Sequence, residues 1–265
     1  KKGGLPQVNH PFDVSFSTRY NSEFWDMVEI FESMEIWNGA TPFAAGTINA
    51  KAFKKWLSLL DEGKRLTATT GSDTHNIYGD DYFGMTEWLD WLMDIVMKHP
   101  EIYPVQMNEK VAYLTWLYNK VWPRLLSWVE QSNTPSTIHN YVYTNGKNQP
   151  QEILQAIREG HSFISNGPLV TAEVNGVSYG EKAVLKDRTG TLSVHVFSKK
   201  PINRLWMYTG ADKKVELCAK ADAAEGGFMY DIAADEFDFG DAAWALFVAD
   251  GGENNLAISN PILFA

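Results

Sequence analysis

The spacing of apolar residues changes character along this chain. Up to about residue 84, short apolar runs alternate with stretches of helical period. Val8 closes the first run. Ser22 is placed to cap a helix whose Trp25, Val28 and Phe31 share a face. Met34 and Ile36 mark a short strand. Phe53, Trp56, Leu57 and Leu60 fall at i, i+3, i+4 and i+7, an amphipathic helix that Gly63 ends. A further strand, Leu66 to Thr70, leads into Gly71. This β-α-β-α-β order predicts parallel strands whose carboxyl ends lie on one side. In barrel-like α/β folds the chemistry gathers at that side, and His10, Glu35 and Asp73 all fall at predicted strand ends.

Residues 85–150 follow a different pattern. Thr86 can cap a helix carrying Trp88, Trp91, Leu92 and Ile95, stopped by Pro100. A second helix runs from Asn108 through Val111, Leu114, Tyr118 and Val121 toward Trp128, with a kink at Pro123. The plain reading is an amphipathic pair packed on the preceding domain. The sharper one is a lid, an aromatic wall or an oligomer contact. Pro150, then Ile153, Leu154 and Ile157 on one face, then Gly160, punctuate another helix. From about residue 168 the period becomes two. Leu192, Val194 and Val196 alternate with polar residues. Strands follow over Ile202 to Tyr208, Val215 to Ala219, Phe228 to Ile232 and Trp244 to Val248, and Asn175-Gly176 is a hairpin signal. This half reads as a small antiparallel β-sandwich, residues 168–265, following a domain of residues 1–167.

Composition narrows the function. Apolar residues make up 45% of the chain, enough for a proper core. The net charge of −10 and the lack of a basic patch argue against a nucleic-acid partner. The one cysteine, Cys218, excludes an intrachain disulfide and reads as a buried small hydrophobe. No run of 18 apolar residues predicts a membrane-spanning helix.

The most informative segment is Gly71-Ser72-Asp73-Thr74-His75. A carboxylate and an imidazole one residue apart, just past a strand, can both face a cleft, and Gly71 makes the tight turn cheap. Mixed oxygen and nitrogen ligands suit Zn, Mn or Fe. The plain alternative is a solvated turn with a capping Asp.

Together with Gly3 to Pro11, Met34-Glu35-Ile36-Trp37-Asn38-Gly39, Ala156 to Pro168 and Ala257 to Ile262, this segment resembles the PHP superfamily of metal-dependent hydrolases. More narrowly it is similar to the carbaryl-hydrolase-type (CehA/McbA) branch. The likeness is poor across about residues 85–140. It implies a partial PHP-type (β/α) barrel with a helical insertion at about 85–140, then the β-sandwich. It also implies His10, Asp73 and His75 as metal ligands in a site of two or three divalent ions. The family begins with an H-x-H element that occurs nowhere in this sequence. On the resemblance, then, the chain is an incomplete enzyme, or the remaining ligands come from an associated N-terminal part or another chain.

The activity so implied is hydrolysis of a phosphoester, or of a carbamate, ester or amide, by a metal-bound hydroxide acting on a small molecule. Glu35 is the candidate catalytic carboxylate, or a partner that orients a metal-bound histidine. Asn38 is read as lining the pocket. His161 stands where the family often has Arg and is read as binding an anionic or carbonyl group. His99 and His139 read as surface residues and His195 as structural. Relatives of this two-domain form look exported, and a half-barrel would tend to form a homodimer. The competing reading is a non-catalytic fragment serving as a binding or scaffold module, with carbohydrate as one ligand class.

Overall fold

The computed structural model describes residues 4–12, 20, 22–39, 43–72, 138–146, 148–217, 221–252 and 255–265. Residues 1–71 and 138–265 make one compact unit and 72–137 a second. The predicted helices at 85–140, with Asp73, His75, His99 and Cys218, lie outside the described residues.

The first unit starts with the predicted parallel strands. β1 (Gln7–Val8), β2 (Ser33–Asn38) and β3 (Thr67–Gly71) form one sheet in that order, with Gln7 opposite Ser33 and Ser33 opposite Thr67. The first helix is shorter than its spacing suggested. α1 covers Ser22–Asp26, and a 3-10 turn, Val28–Ile30, follows it. α2 (Ile48–Asp61) is the amphipathic helix. Thr47 caps it by accepting from the Ala50 N–H. Its buried face carries Phe53, Trp56, Leu57 and Leu60, and the Trp56 indole N–H donates to the Leu66 carbonyl at 2.7 Å.

The remaining strands are mainly antiparallel. They are β4 (His139–Val142), β5 (Ser162–Ser165), β6 (Leu169–Val174), β7 (Lys182–Ala183), β8 (Thr189–Ser198), β9 (Arg204–Gly210), β10 (Lys213–Leu217), β11 (Ala221–Ala224), β12 (Gly227–Asp238), β13 (Trp244–Asp250), β14 (Leu256–Ser259) and β15 (Ile262–Phe264). α3 (Pro150–Glu159) joins β4 to β5, with Pro150 at its start and Gly160, at φ 80°, closing it. A middle sheet runs β10-β9-β13-β14-β5-β4, with β15 and β7 attached beside β13. An outer sheet runs β11-β12-β8-β6.

The middle sheet is apolar on both faces. Trp244, Leu246, Val248, Ile164 and Ile258 join α2 and the parallel strands in one core. Ala245, Phe247, Ala249, Phe163 and Ala257 join Val170, Ala172, Leu192, Val194 and Val196 of the outer sheet in a second. The period-two pattern of β8 therefore reports a strand with one face on the core.

The expected partial (β/α) barrel of an α/β protein is not what these residues form. They are mostly strand, and no barrel closes. The reason lies at the free edge of β3. Where a fourth parallel strand would pair, two side-chain amides take its place. The Ala68 N–H donates to Asn260 Oδ1 at 2.7 Å, and Asn260 Nδ2 donates back to the Ala68 carbonyl at 3.2 Å. Two residues on, the Thr70 N–H donates to Asn140 Oδ1 at 3.0 Å, and Asn140 Nδ2 returns a bond to the Thr70 carbonyl at 2.8 Å. Asn140 belongs to β4, and Asn260 follows β14. The parallel sheet thus ends at β3 against an antiparallel neighbour. No helix among the described residues is long and apolar enough to cross a membrane.

Asn260 also donates to the Ser162 carbonyl and hydroxyl and is fully buried. We expect Asn260→Ala to strand both backbone groups of Ala68 and to cost about 2–4 kcal/mol in urea unfolding. A second expectation concerns Tyr179, whose phenol is buried and held well above its usual range, first by desolvation and then by the neighbouring Tyr143. The folded state keeps this proton where the unfolded chain releases it. Its stabilising contribution is therefore complete below pH of about 10 and lost as pH climbs toward the folded-state value. Tyr179→Phe should flatten the loss of thermal stability above that pH.

Candidate functional site

The carboxyl edge of the parallel sheet is organised around Glu35. Its position is less terminal than the sequence suggested, because Glu35 is the third residue of β2, opposite Thr69. β1 ends opposite Met34, one step earlier, so the space beside Glu35 is left to the chain that follows β1. That chain carries His10. The His10 backbone N–H donates to Glu35 Oε2 at 2.6 Å. On the other side, a Cβ built on Gly71 would lie 2.8 Å from Glu35 Oε1. The carboxylate therefore spans from the turn after β1 to the last residue of β3. Glu35 is only 5% exposed.

A bulge in β2 between Glu35 and Trp37 shifts the pairing with β3 by one residue and brings Asn38 opposite Gly71. The Asn38 backbone is held by another side-chain amide. Its N–H donates to Asn49 Oδ1 at 2.9 Å, and Asn49 Nδ2 donates to its carbonyl at 3.1 Å. Asn49 lies in the first turn of α2, so the helix start is fastened to the end of β2. His10, Pro11, Phe12, Glu35, Asn38 and Asn49 line one narrow crevice with no room for a water molecule.

His10 carries two signs of local cost. Its φ is 29°, a left-handed conformation unusual for a residue with a side chain. Its Nδ1 is buried with no hydrogen-bond partner among the described residues. A buried imidazole nitrogen without a partner has lost its hydration for nothing in return. Tyr20 adds to the electrostatics. Its phenol is raised above the usual range by burial and by the charge of Glu35, and its hydroxyl donates to the Asn9 carbonyl at 3.3 Å.

The structure thus brings His10, Glu35 and Asn38 together. β3 leads from Gly71 directly into Ser72 and the Asp73-Thr74-His75 segment, whose remaining residues lie outside the described ones. His161 stands elsewhere. It follows α3 and borders a cleft with Leu66 and Thr67, at the opposite end of β3. Among the described residues, no group of three or more His, Cys, Asp and Glu side chains is gathered as a metal cluster.

Sequence reasoning missed Asn49, Tyr20 and the role of Gly71 as the floor under Glu35. Only Gly71 carried a signal, because it had been read as a turn residue. A second arrangement also went unread. Ser193 Oγ lies 3.0 Å from His195 Nε2, and His195 Nδ1 lies 2.5 Å from Asp231 Oδ1. The order is that of a Ser-His-Asp relay, with His195 and Asp231 opposite each other on β8 and β12. It stands on an open sheet face, with His195 and Asp231 both 54% exposed. β8 is paired on both sides, with β6 and with β12, so its backbone N–H groups belong to the ladder. Among the described residues, no cradle of free donors faces Ser193 to stabilise an oxyanion. The arrangement is a solvent-exposed hydrogen-bonded chain of surface side chains.

Gly71→Ala should drive the Glu35 carboxylate off its place and loosen its bond to the His10 N–H. The expected outcome is a loss of about 1–2 kcal/mol in thermal unfolding, with a marked shift of the His10 amide resonance in a nitrogen–proton correlation spectrum. An unmoved resonance would show that the carboxylate is not seated between His10 and Gly71.

Comparison with protein-family models, with curated proteins and with solved structures finds no match to this chain.

Proposed function

We propose that this chain is a metal-dependent hydrolase acting at the carboxyl edge of its parallel sheet on a phosphoester or a carbamate, ester or amide. The observation that carries this reading is the buried, unpartnered Nδ1 of His10, beside the Glu35 carboxylate and at the edge where β3 runs into Asp73-Thr74-His75. That nitrogen fits a metal ion, because coordination would satisfy what no partner among the described residues does. This chain's ligands would be His10, Asp73 and His75, and the ions Zn, Mn or Fe; a site of two or three ions would take its remaining ligands from an associated part or another chain. Such ions supply Lewis acidity and an activated water at neutral pH.

The chain's own residues divide the remaining work. Glu35 takes the His10 backbone N–H and so fixes the strained turn that holds the imidazole. Its other oxygen rests over Gly71, the last residue of β3. One carboxylate therefore ties the His10 turn to the end of β3, and its charge favours cations at this edge. Asn38, whose backbone Asn49 fixes, would lie at the inner limit of the substrate pocket, the narrow crevice itself being closed to substrate. No lysine or arginine lines the crevice among the described residues, which favours a carbonyl substrate or a small phosphoester.

The test is metal uptake, followed by activity. After dialysis against Zn or Mn, elemental analysis should find bound metal, and His10→Ala and Asp73→Ala should each lower the stoichiometry. Metal should raise the melting temperature of the wild type and not of Asp73→Ala. Nitrophenyl esters, carbamates and phosphates then report the bond cleaved. A chain that takes up no metal, or takes it up equally with both ligands removed, overturns the proposal and leaves a binding module.

A further inference from the structure

A second cleft lies away from the His10–Glu35 edge. It opens at the other end of β3, with a volume of about 410 Å³, within the range of small-molecule sites. Its walls come from four places in the chain. Leu60 ends α2, Arg65 and Leu66 lead into β3, Arg158 to His161 close α3, and Pro261 with Leu263 come from the tail. Gly180 lets these walls meet. A Cβ there would fall 2.0 Å from the Glu159 carbonyl oxygen, and its N–H donates to the Pro261 carbonyl at 2.8 Å.

The polar groups at this cleft differ in how far they are already committed. Arg158 is used up, donating to Glu32 at 2.7 Å, to Gln155 Oε1 at 2.9 Å and to the Gly4 carbonyl at 3.1 Å. The Asn260 amide is spent on Ala68 and Ser162. His161 stands between two carboxylates, 3.7 Å from Glu159 and 3.8 Å from Glu181. Arg65 is exposed and has neither an ion pair nor a hydrogen-bonded side-chain partner among the described residues. The cleft therefore offers apolar walls in Leu60, Leu66, Pro261 and Leu263, one unspent guanidinium, and two carboxylates at the His161 side.

We infer that this cleft binds a small amphipathic monoanion, a carboxylate on an apolar body. The carboxylate would pair with Arg65, whose planar fork matches it with two parallel hydrogen bonds. The apolar body would cover the leucines and Pro261. One negative charge fits and two do not, because Glu159 and Glu181 repel a second. This site is separate from the proposed metal edge. β3 runs from Thr67 at the cleft to Gly71 at the metal edge, roughly 13 Å at the usual rise of a strand.

The test uses 2-naphthoate and its neutral counterpart 2-naphthylmethanol, titrated into the whole chain by calorimetry. The wild type should bind the naphthoate. Arg65→Ala should weaken that binding about tenfold or more, the effect of removing a charged hydrogen bond, and should leave the neutral probe unaffected. Leu263→Trp, which fills the cleft, should abolish both. Asp73→Ala should change neither, so failure of the metal proposal and failure of this one are told apart. Arg65 is exposed, so its removal is not expected to disturb folding, and a melting curve checks this. No naphthoate binding to the wild type, or equal affinity in Arg65→Ala, overturns the inference.

Discussion

Two asparagine amides on the free edge of β3 are the constraint on which the rest of the unit depends. A side-chain amide presents a carbonyl and an N–H in the geometry of a peptide group. Asn260 and Asn140 therefore satisfy Ala68 and Thr70 as a neighbouring strand would. They satisfy only alternate residues, and they come from elements that run differently from β3. The parallel sheet is thereby closed off without being extended. Without the amides, a buried edge would carry unpaired backbone groups, and each such group costs on the order of 1–3 kcal/mol. Asn49 serves Asn38 in the same way at the helix start, whereas at Leu256 in the middle sheet Asn166 accepts with its side-chain oxygen and donates with its backbone N–H.

This explains which parts of the fold could be read from the sequence. α2 and β8 each have one face on a core, so their apolar positions keep a period. Their order and type follow from pattern alone. β13 reads Trp-Ala-Leu-Phe-Val-Ala and is apolar throughout. It is buried on both faces because the middle sheet stands between two cores, and a run of this kind does not show which side faces what. The barrel expectation failed for a related reason. Three parallel strands with intervening helices are shared by barrels and by open sheets. The difference was decided by residues after β3, and no periodicity marks Asn140 and Asn260 as substitutes for a strand. The Ser259-Asn260-Pro261 tail carried a motif, but the motif did not reveal its partner, nearly 200 positions away in the chain.

The candidate site was legible to a similar depth. Motif order grouped His10, Glu35 and Asn38, and although Glu35 lies within β2 rather than at its end, the structure brings all three to one crevice. His161 did not follow. Its motif, Arg158-Glu159-Gly160-His161, comes at the end of a helix, and the direction of that helix sets which end of β3 it meets. Helix direction relative to a sheet is a tertiary property, absent from local spacing.

The edge amides and the site are linked through register. A parallel strand of five residues has little to prevent a slip along its neighbour, and a slip of one residue would turn every side chain to the opposite face. Amides at Ala68 and Thr70, two residues apart, accept only one register of β3. That register, with the bulge in β2, places Gly71 beneath the Glu35 carboxylate and fixes where the chain departs toward Asp73. Glu35 in turn holds the His10 turn at a φ that an imidazole-bearing residue seldom adopts. The cost of that turn, of order 1 kcal/mol, falls at the one described residue whose buried side-chain nitrogen has no partner. Strain and an unsatisfied donor-acceptor atom coincide at a functional position more readily than at a structural one, because packing alone would have relieved both.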